Sequence, residues 1–232
     1  MSQERTVERT PVVVPEATET RIAVPPIADP APLGLAAFAL TTFLLSAQNA
    51  QLTDGPDAWL GFALAYGGLI QLLAGMWEFR NRNVFGATAF STYGGFWIGL
   101  GLWFLLVEPH AGGTAAVLSD LGWILLAFSI FNTYMLLWSM GVNAAVFGVF
   151  LTLEATEIIL WIGFFSNSTG IIKLGGWVGI ITAIVAWYAS AAGVVNGMRG
   201  TPVVPVGRPF WSPGGMMARP GSPMPRAQTP RA

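Results

Sequence analysis

The chain has 232 residues, of which 53% are hydrophobic and only 10% are charged, with a formal net charge of -1 and a mean hydropathy of +0.59. Soluble domains carry about 25% charged residues, so this chain has too few charges to cover a water-facing surface. The near-zero net charge excludes nucleic-acid binding through a basic patch, and the absence of cysteine together with the single histidine, His110, excludes a disulfide framework and a cysteine- or histidine-cluster metal site.

The first 28 residues are polar. They contain four glutamates and several prolines and have no apolar core near the start, unlike a signal peptide. Such a segment has little apolar surface to bury, so we predict a disordered tail over residues 1–28. Residues 29–200 are predicted to form a transmembrane domain. Residues 201–232, rich in Pro, Gly and Arg, are predicted to form a second, flexible tail.

Six stretches of about 20 mostly apolar residues, the length that crosses a bilayer, lie between polar or turn-forming segments. They run approximately over Leu33–Leu52, Asp57–Trp77, Val84–Val107, Ala116–Met140, Asn143–Phe165 and Leu174–Met198. Only Gly141 separates the fourth stretch from the fifth, which predicts a very tight loop there. The sequence therefore predicts an all-α integral membrane protein with six transmembrane helices in a bundle.

Basic residues are distributed unequally between the two sides of such a bundle. Ten of the eleven fall in the tails or in the loops on the same side as the tails, and only Lys173 falls on the other side. Because Lys and Arg are enriched in cytoplasmic loops, we predict a multi-pass protein of the cytoplasmic (inner) membrane with both termini in the cytoplasm. Glu78, close in sequence to Arg80 and Arg82, is predicted to belong to an ion-paired anchor at a cytoplasmic helix end.

Several motifs occur in chain order between residues 29 and 207. A heptamer, Asp-Pro-Ala-Pro-Leu-Gly-Leu, begins at Asp29, and its two prolines keep the chain extended before the first helix. The second helix contains Tyr-Gly-Gly-Leu-Ile-Gln-Leu-Leu-Ala-Gly-Met-Trp-Glu from Tyr66, and the third contains Asn-Val-Phe-Gly-Ala-Thr-Ala-Phe-Ser-Thr-Tyr-Gly-Gly-Phe-Trp from Asn83. The sixth helix and the following tail contain Gly-Gly-Trp-Val-Gly-Ile and Val-Val-Pro-Val-Gly.

Together these segments resemble the acetate uptake transporter family, the succinate–acetate permeases of bacteria and their fungal relatives. The signature heptamer of that family begins with Asn, where this chain has Asp29. The resemblance implies a six-helix bundle assembled as a ring-shaped homohexamer, in which each protomer has its own pore. It also implies uptake of acetate and, in some members, of succinate or lactate.

The resemblance also implies roles for particular residues. An apolar constriction is expected from Phe38, Tyr93 and, by a looser match, Leu151. Polar pore or vestibule positions are expected at Thr41, Thr42, Asn49 and Gln71. The residues carried over from the heptamer are Asp29, Pro30, Pro32 and Gly34.

An apolar constriction suits acetate on physical grounds. It tolerates the methyl group, while hydroxyl and amide groups bind the carboxyl oxygens. From residue type alone, Phe38 and Leu151 can equally be ordinary core or lipid-facing residues, and the resemblance favours the pore.

Two carboxyl groups, those of Glu154 and Glu157, lie near the middle of the fifth span. A charge at this depth costs about 2.5–3.5 kcal/mol on insertion scales, so such residues usually face protein or water and mark a pathway. Because Leu151 and Glu154 share a helix face, we expect Glu154 to point at the pore beside the constriction. One hypothesis is that Glu154 or Glu157 couples a proton to substrate passage. The alternative is a structural contact with a neighbouring helix or subunit, and the sequence leaves both open.

The leading prediction is a channel-like or proton-coupled transporter of acetate and related small monocarboxylates. It is expected to act in the lipid bilayer as a homo-oligomer, without a cofactor, a metal or nucleic acid. The alternative is a membrane-embedded sensor or scaffold that signals through its cytoplasmic tails. A membrane enzyme ranks third, because it needs a nucleophile, metal ligands or paired acids near an interface, and Glu154 and Glu157 lie too deep for most water-soluble substrates.

Overall fold

The computed structural model describes residues 27–211, a range that excludes nearly all of the predicted N-terminal tail and the last part of the C-terminal one. The six long helices are α1 (Ala31–Asn49), α2 (Leu60–Arg80), α3 (Val84–Leu106), α4 (Thr114–Ser139), α5 (Ala144–Phe165) and α6 (Thr169–Arg199). Short 3₁₀ turns at Pro56–Ala58 and Glu108–His110 follow α1 and α3. By length and composition, all six helices can cross a membrane, which confirms the predicted number of spans.

Local capping explains where two of the helices begin. The side chain of Asn83 accepts a hydrogen bond from the Gly86 N–H at 3.1 Å before α3, and that of Asn143 accepts one from the Val146 N–H at 2.9 Å before α5. Asparagine is among the best residues at this position, because its oxygen satisfies an N–H group that the helix leaves free. The connection between α4 and α5 is correspondingly short, as predicted from Gly141.

α1 makes its most extensive backbone contact with α6. It packs along α6 and also against α2, while α6 packs on α5, α5 on α4, and α2 on α3. α3 and α4 have little backbone contact and meet through aromatic rings, such as those of Phe96 and Phe128, whose centroids are 4.6 Å apart. The interior between α1, α3, α4 and α5 is therefore closed by side chains and not by close backbone packing.

Small residues bring α6 close to α1. A side-chain carbon at Gly176 would collide with the backbone of Asn49 and Ala50, and one at Gly179 would collide with Ser46. Helices in lipid are held together by such close packing, for which small residues are needed. The glycines of α6 thus fix the position of α1, whose inner face carries several of the predicted pore residues.

The two ends of the bundle differ in what they carry. One end of the bundle contains the start of α1, the end of α6, and the α2–α3 and α4–α5 connections. We call it the terminal end, and we call the opposite end the far end. Residues 201–211, the start of the predicted flexible tail, lie against the terminal end. The N–H of Phe210 donates to the Met140 carbonyl at 2.8 Å, and the N–H of Ala145 donates to the Val206 carbonyl at 2.9 Å. These bonds to helix ends make the first part of the tail an ordered part of the bundle.

Candidate functional site

Three cavities follow one another inside the bundle. The terminal vestibule, of about 360 Å³, lies among the start of α1, the α2–α3 and α4–α5 connections and the end of α6. The central cavity, of about 40 Å³, lies mainly between α1, α3 and α5. The far vestibule, of about 100 Å³, lies between α1, α3, α4 and α5 toward the far end. The central cavity and the far vestibule are adjacent, since they share the lining residues Leu45, Asn49, Leu125 and Leu160.

Apolar side chains separate the terminal vestibule from the central cavity. Phe38 of α1 meets Tyr93 of α3 edge to face, with ring centroids 5.8 Å apart. Leu153 of α5 lines the central cavity with them, and the three side chains are only 3% to 6% exposed. We call these three residues the neck. Leu35, one turn before Phe38 on α1, lines the terminal vestibule, so along α1 the neck follows this vestibule directly.

Leu151 does not belong to the neck. Its side chain is 48% exposed on the outside of α5, and it lines none of the three cavities. Side chains two positions apart on an α-helix point roughly 200° apart, because each residue turns the helix by about 100°. The structure therefore places Leu153, and not the predicted Leu151, beside Phe38 and Tyr93 at the central cavity.

The polar residues predicted for the pore divide into two groups. Thr42 and Asn49 line the central cavity, and Asn49 also lines the far vestibule. Thr41 points elsewhere: its hydroxyl donates to the backbone of its own helix at 2.7 Å, and its side chain packs against Gly67 of α2. Gln71 of α2 is buried but lines none of the three cavities. Only the first two therefore lie where a passing solute can meet them.

The heptamer forms the start of α1. The side-chain oxygen Oδ1 of Asp29 accepts a hydrogen bond from the Ala31 N–H at 3.0 Å, and Asp29 also lines the terminal vestibule. An asparagine in its place would offer the same acceptor oxygen. The carbonyl of Pro30 accepts from the first free N–H groups of the helix at 3.1 Å. The change from Asn to Asp in the signature thus preserves this local bond while it adds a carboxyl group to the vestibule.

The second half of the heptamer joins α1 to its neighbours. The carbonyl of Pro32 accepts a hydrogen bond from the Ser190 hydroxyl of α6 at 2.6 Å. Gly34 lies against α3, where a side-chain carbon would come within 2.7 Å of the Phe90 ring. A larger residue at Gly34 would push α1 and α3 apart just one turn from Phe38 of the neck.

A buried polar chain crosses the bundle from the neck to α4. The hydroxyl oxygen of Tyr93 lies 3.1 Å from Oδ1 of Asn132 and 3.3 Å from Oε1 of Glu157. Nδ2 of Asn132 donates to the Phe150 carbonyl at 3.0 Å and to Oε2 of Glu154 at 2.7 Å. The two glutamates of α5 are therefore connected through one tyrosine and one asparagine.

The two glutamates have different surroundings. Glu157 lines the central cavity, whereas Glu154 lines none of the three cavities. Glu154 faces α4, where the hydroxyls of Ser129 and Thr133 lie 3.0 Å and 2.9 Å from its Oε1. The predicted direction of Glu154 depends on its sharing a helix face with Leu151. Neither residue lines the central cavity, so Glu154 does not point where the sequence predicts. Glu157 is the carboxyl group beside the neck.

Three residues that line the central cavity carry a buried polar atom with no hydrogen-bond partner among residues 27–211. These atoms are Oγ1 of Thr42, Nε1 of Trp97 and Oε2 of Glu157. An unsatisfied buried polar group costs about 1–3 kcal/mol, so each is expected to meet a water or a ligand. A water needs roughly 10–15 Å³ of such space, so the cavity has room for a few waters or one very small solute.

Sequence reasoning missed Leu153, Trp97 and Asn132. The sequence does contain a signal for Asn132. In the apolar α4, Asn132 and Thr133 lie three and four positions after Ser129, which is the spacing of one helix face. Polar residues inside a membrane span usually face the interior of a bundle. This face of α4 binds Glu154 and, through Asn132, the neck tyrosine.

The surroundings of Glu78, at the end of α2, also differ from those predicted. Its side chain is fully buried, and its Oε2 accepts from Nδ2 of Asn81 at 3.0 Å in place of the predicted arginine partners. The carboxyl group lies against Gly86 in the first turn of α3. The bond from Asn81 joins the end of α2 to the turn before α3, while Oε1 of Glu78 has no hydrogen-bond partner among residues 27–211.

The described part of the chain offers no candidate metal centre. In residues 27–211, the His, Asp and Glu side chains form no group of three or more that could hold a metal ion. The two carboxyl groups of α5 bind hydroxyl and amide groups instead.

Comparison with known proteins gives consistent matches. A sequence model of the GPR1/FUN34/yaaH family matches residues 14–208. Accumulation of dyads protein 2 of Saccharomyces cerevisiae is 41% identical over 175 residues, which cover 73% of this chain and 62% of that protein. Acetate permease A of Emericella nidulans is 38% identical over 208 residues, covering 83% and 70%. The succinate-acetate/proton symporter SatP of Escherichia coli K12 is 35% identical over 182 residues, covering 78% and 96%.

The fold agrees with a solved structure, that of the bacterial acetate channel SatP. The TM-score is 0.73 at 32% identity, over 78% of this chain and 99% of that one. This chain thus covers less than two thirds of the length of the yeast relative but nearly the whole length of the bacterial channel. The structural match confirms the predicted six-helix bundle. Together with the six apolar helices, it supports the prediction of a multi-pass membrane protein. The chain belongs to the GPR1/FUN34/yaaH family, as the motifs of its first, second, third and sixth helices predict.

Proposed function

We propose that this protein transports acetate and related small monocarboxylates across a cell membrane through a pore inside each protomer. The pore runs from the terminal vestibule, past the neck of Phe38, Tyr93 and Leu153, into the central cavity and the far vestibule. The succession of cavities inside a six-helix membrane bundle carries this proposal. The names of the relatives, an acetate permease, a succinate-acetate/proton symporter and an acetate channel, support transport and a non-enzymatic role.

The neck and the central cavity fit a small acid with one apolar end. The methyl group of acetate is compatible with Phe38 and Leu153, while Thr42, Trp97 and Glu157 offer polar atoms to the carboxyl group. Succinate has a second carboxyl group, which would lose its water at the apolar neck without gaining a partner there. Monocarboxylates are therefore the preferred substrates in this proposal, and succinate is a weaker one.

Protons are proposed to cross together with the substrate. Glu157 supports this part of the proposal, because it is the carboxyl residue that lines the central cavity. The E. coli relative is named a proton symporter, which agrees with it. Glu154 binds α4 outside the cavity, so its proposed role is structural.

The terminal end is proposed to face the cytoplasm, with both chain termini, in the inner membrane. Within residues 27–211, four basic side chains belong to the terminal end, namely Arg80, Arg82, Arg199 and Arg208, and Lys173 lies toward the far end. An excess of Lys and Arg marks the cytoplasmic side of membrane proteins. The terminal vestibule is then the cytoplasmic mouth of the pore.

The protein is proposed to assemble as a ring-shaped homohexamer, as the family resemblance implies. The outer surface supports assembly or lipid contact: only 17% of the most apolar window of α4 is buried, against 56% for α1. The three cavities form within a single chain without any neighbour, which fits a pore in each protomer.

Purified full-length protein in liposomes tests this function. Vesicles that contain the protein are expected to equilibrate labelled acetate faster than protein-free vesicles of the same lipid composition, because the pore adds a route to passage through the bilayer. If both kinds of vesicle hold an acetate gradient equally long, transport is refuted. The membrane-embedded sensor or scaffold would then be the remaining candidate.

A further inference from the structure

We propose that the central cavity recognises the undissociated carboxylic acid, and that Glu157 acts there as a neutral carboxyl group that accepts a hydrogen bond from the acid's hydroxyl. This inference rests on the proposed transport function. It is carried by the direction of the hydrogen bonds around Tyr93 and by the unpartnered polar atoms of the cavity.

The orientation of the Asn132 amide comes first. Its Nδ2 lies 3.0 Å from the Phe150 carbonyl and 2.7 Å from Oε2 of Glu154. A backbone carbonyl only accepts hydrogen bonds, so the atom that faces it has to be the amide nitrogen. Oδ1 of Asn132 is then the atom 3.1 Å from the Tyr93 hydroxyl, and it can only accept.

The proton of Tyr93 is therefore committed. A tyrosine hydroxyl has one proton, and here that proton points to Asn132. One proton cannot serve both Oδ1 of Asn132 at 3.1 Å and Oε1 of Glu157 at 3.3 Å, and we assign it to the shorter contact. A hydrogen bond between Tyr93 and Glu157 then takes its proton from Glu157. Glu157 is thus the donor in this contact, which requires its neutral form.

Glu154, in contrast, accepts hydrogen bonds. Donors surround it on the α4 side, including the Asn132 amide and the Ser129 hydroxyl. A carboxylate is an acceptor only, and it is favoured by several donors. The pair of glutamates thus divides into an acceptor at α4 and, in this proposal, a donor at the cavity.

The remaining oxygen of Glu157 then defines what the cavity binds. With Oε1 carrying the proton, Oε2 is a carbonyl oxygen that accepts, and it is buried without a partner among residues 27–211. Thr42 and Trp97, which line the same cavity, offer a hydroxyl and an N–H donor, also unpartnered within that range. An undissociated acid matches this set, because its hydroxyl donates to Glu157 while its carbonyl accepts from Thr42 or Trp97.

The acetate anion matches the set poorly. It has no proton to give to Oε2 of Glu157, so two acceptor oxygens would face each other in a cavity closed by apolar side chains. Each molecule that crosses as the acid brings one proton with it. Proton and acetate then move together without any change in the protonation of Glu157.

Other titratable groups near Glu157 are few. Tyr93 faces it from α3, and Glu154 lies one turn away on α5. The cavity-lining residues of α1, such as Thr42 and Asn49, are uncharged. Asn132 on α4 is uncharged as well. The same holds for Thr182 on α6, whose hydroxyl lies beside that of Thr156. A pH dependence of flux is therefore expected to come from the substrate.

The first test is the pH dependence of acetate flux in proteoliposomes of the full-length protein. After subtraction of the rate in protein-free vesicles, the rate at fixed total acetate is expected to fall about tenfold for each pH unit between about pH 6 and pH 8, because the acid fraction of a carboxyl group falls by that factor well above its pKa. A flux that is present but independent of pH in this range would overturn the acid as substrate. An absent flux would instead refute the transport function itself.

Acetamide provides the second test. It has the methyl group and the carbonyl acceptor of acetic acid and carries N–H donors, but it does not ionise in this pH range. It is expected to inhibit acetate flux and to cross the protein at a rate that does not change with pH. Exclusion of acetamide by a protein that passes acetate would contradict the proposal.

Variants of Glu157 provide the third test. Glu157→Leu removes both the donor and the acceptor and is expected to lower acetate and acetamide flux by about tenfold or more. Glu157→Gln offers an N–H to Tyr93 and a carbonyl to the substrate, and is expected to restore flux to about threefold below wild type with the same pH profile. If Glu157→Gln is as inactive as Glu157→Leu, or if its pH profile flattens, Glu157 releases and takes up protons and the proposal is wrong. The first two tests use the wild-type protein and so do not depend on how the variants fold.

Discussion

The two sides of α5 carry the same kinds of residue in different surroundings. Leu153 and Glu157 are buried and line the central cavity, whereas Leu151 lies on the outer surface and Glu154 binds α4. The members of each pair lie at nearly the same depth and have the same chemistry. Their different places show that the angle around the helix axis, and not the residue type or the depth in the membrane, assigns a residue to the pore.

The leucine pair gives the largest expected difference. Leu153→Ala removes bulk from the neck, so the flux of lactate relative to acetate is expected to rise by about tenfold. Leu151→Ala removes the same atoms from the outer surface and is expected to leave this ratio unchanged. Competition between labelled lactate and acetate in proteoliposomes measures it. A change in the ratio for Leu151→Ala but not for Leu153→Ala would reverse the assignment of the two sides.

The glutamate pair sharpens the comparison through stability. Glu154→Gln replaces one acceptor oxygen by an amide that faces the donors of Ser129 and Asn132, so the free energy of unfolding is expected to fall by about 1–3 kcal/mol. Thermal unfolding in detergent measures this loss. The pH profile of acetate flux is expected to stay that of the wild type, because Glu154 lies outside the cavities. A flattened profile would return Glu154 to the proton pathway.

Two threonines of α5 give the smallest difference. The hydroxyl of Thr156 meets that of Thr182 on α6 at 3.0 Å, while the hydroxyl of Thr152 donates to the backbone of its own helix at 2.9 Å. Thr156→Val is expected to lower the free energy of unfolding by about 1 kcal/mol through loss of the bond between helices. Thr152→Val is the control and is expected to change it little. Equal losses in the two variants would show that the Thr156 bond contributes nothing of its own.

The six spans could be predicted because their signals are local. Apolar length, glycine and proline breaks, and polar connections all act within a few residues. The least accurate boundary was the start of α6, which lies at Thr169 and not at Leu174. Polar residues such as Lys173 do not stop a helix at the membrane surface, so hydropathy marks the buried part of α6 and not its first turn.

The inner side of α5 could not be predicted in the same way. The polar residues of α5, such as Glu154 and Glu157, point in different directions around the helix, so no amphipathic pattern shows which side faces the cavity. The sequence match therefore indicates Leu151, whereas Leu153, two positions later, lines the central cavity. The contacts of residues 201–211 were also out of reach, because the bonds of Phe210 and Val206 join segments that are distant in sequence.

Acetate passage through the neck is the central claim, and a pair of tryptophan variants tests it most directly. Initial acetate flux is measured in proteoliposomes that hold equal amounts of Phe38→Trp and Leu151→Trp protein. A larger ring at the neck is expected to lower flux by about tenfold or more, whereas the same ring on the outer surface of α5 is expected to leave it near wild type. Equal flux through both variants, or loss only in Leu151→Trp, would show that acetate takes another route.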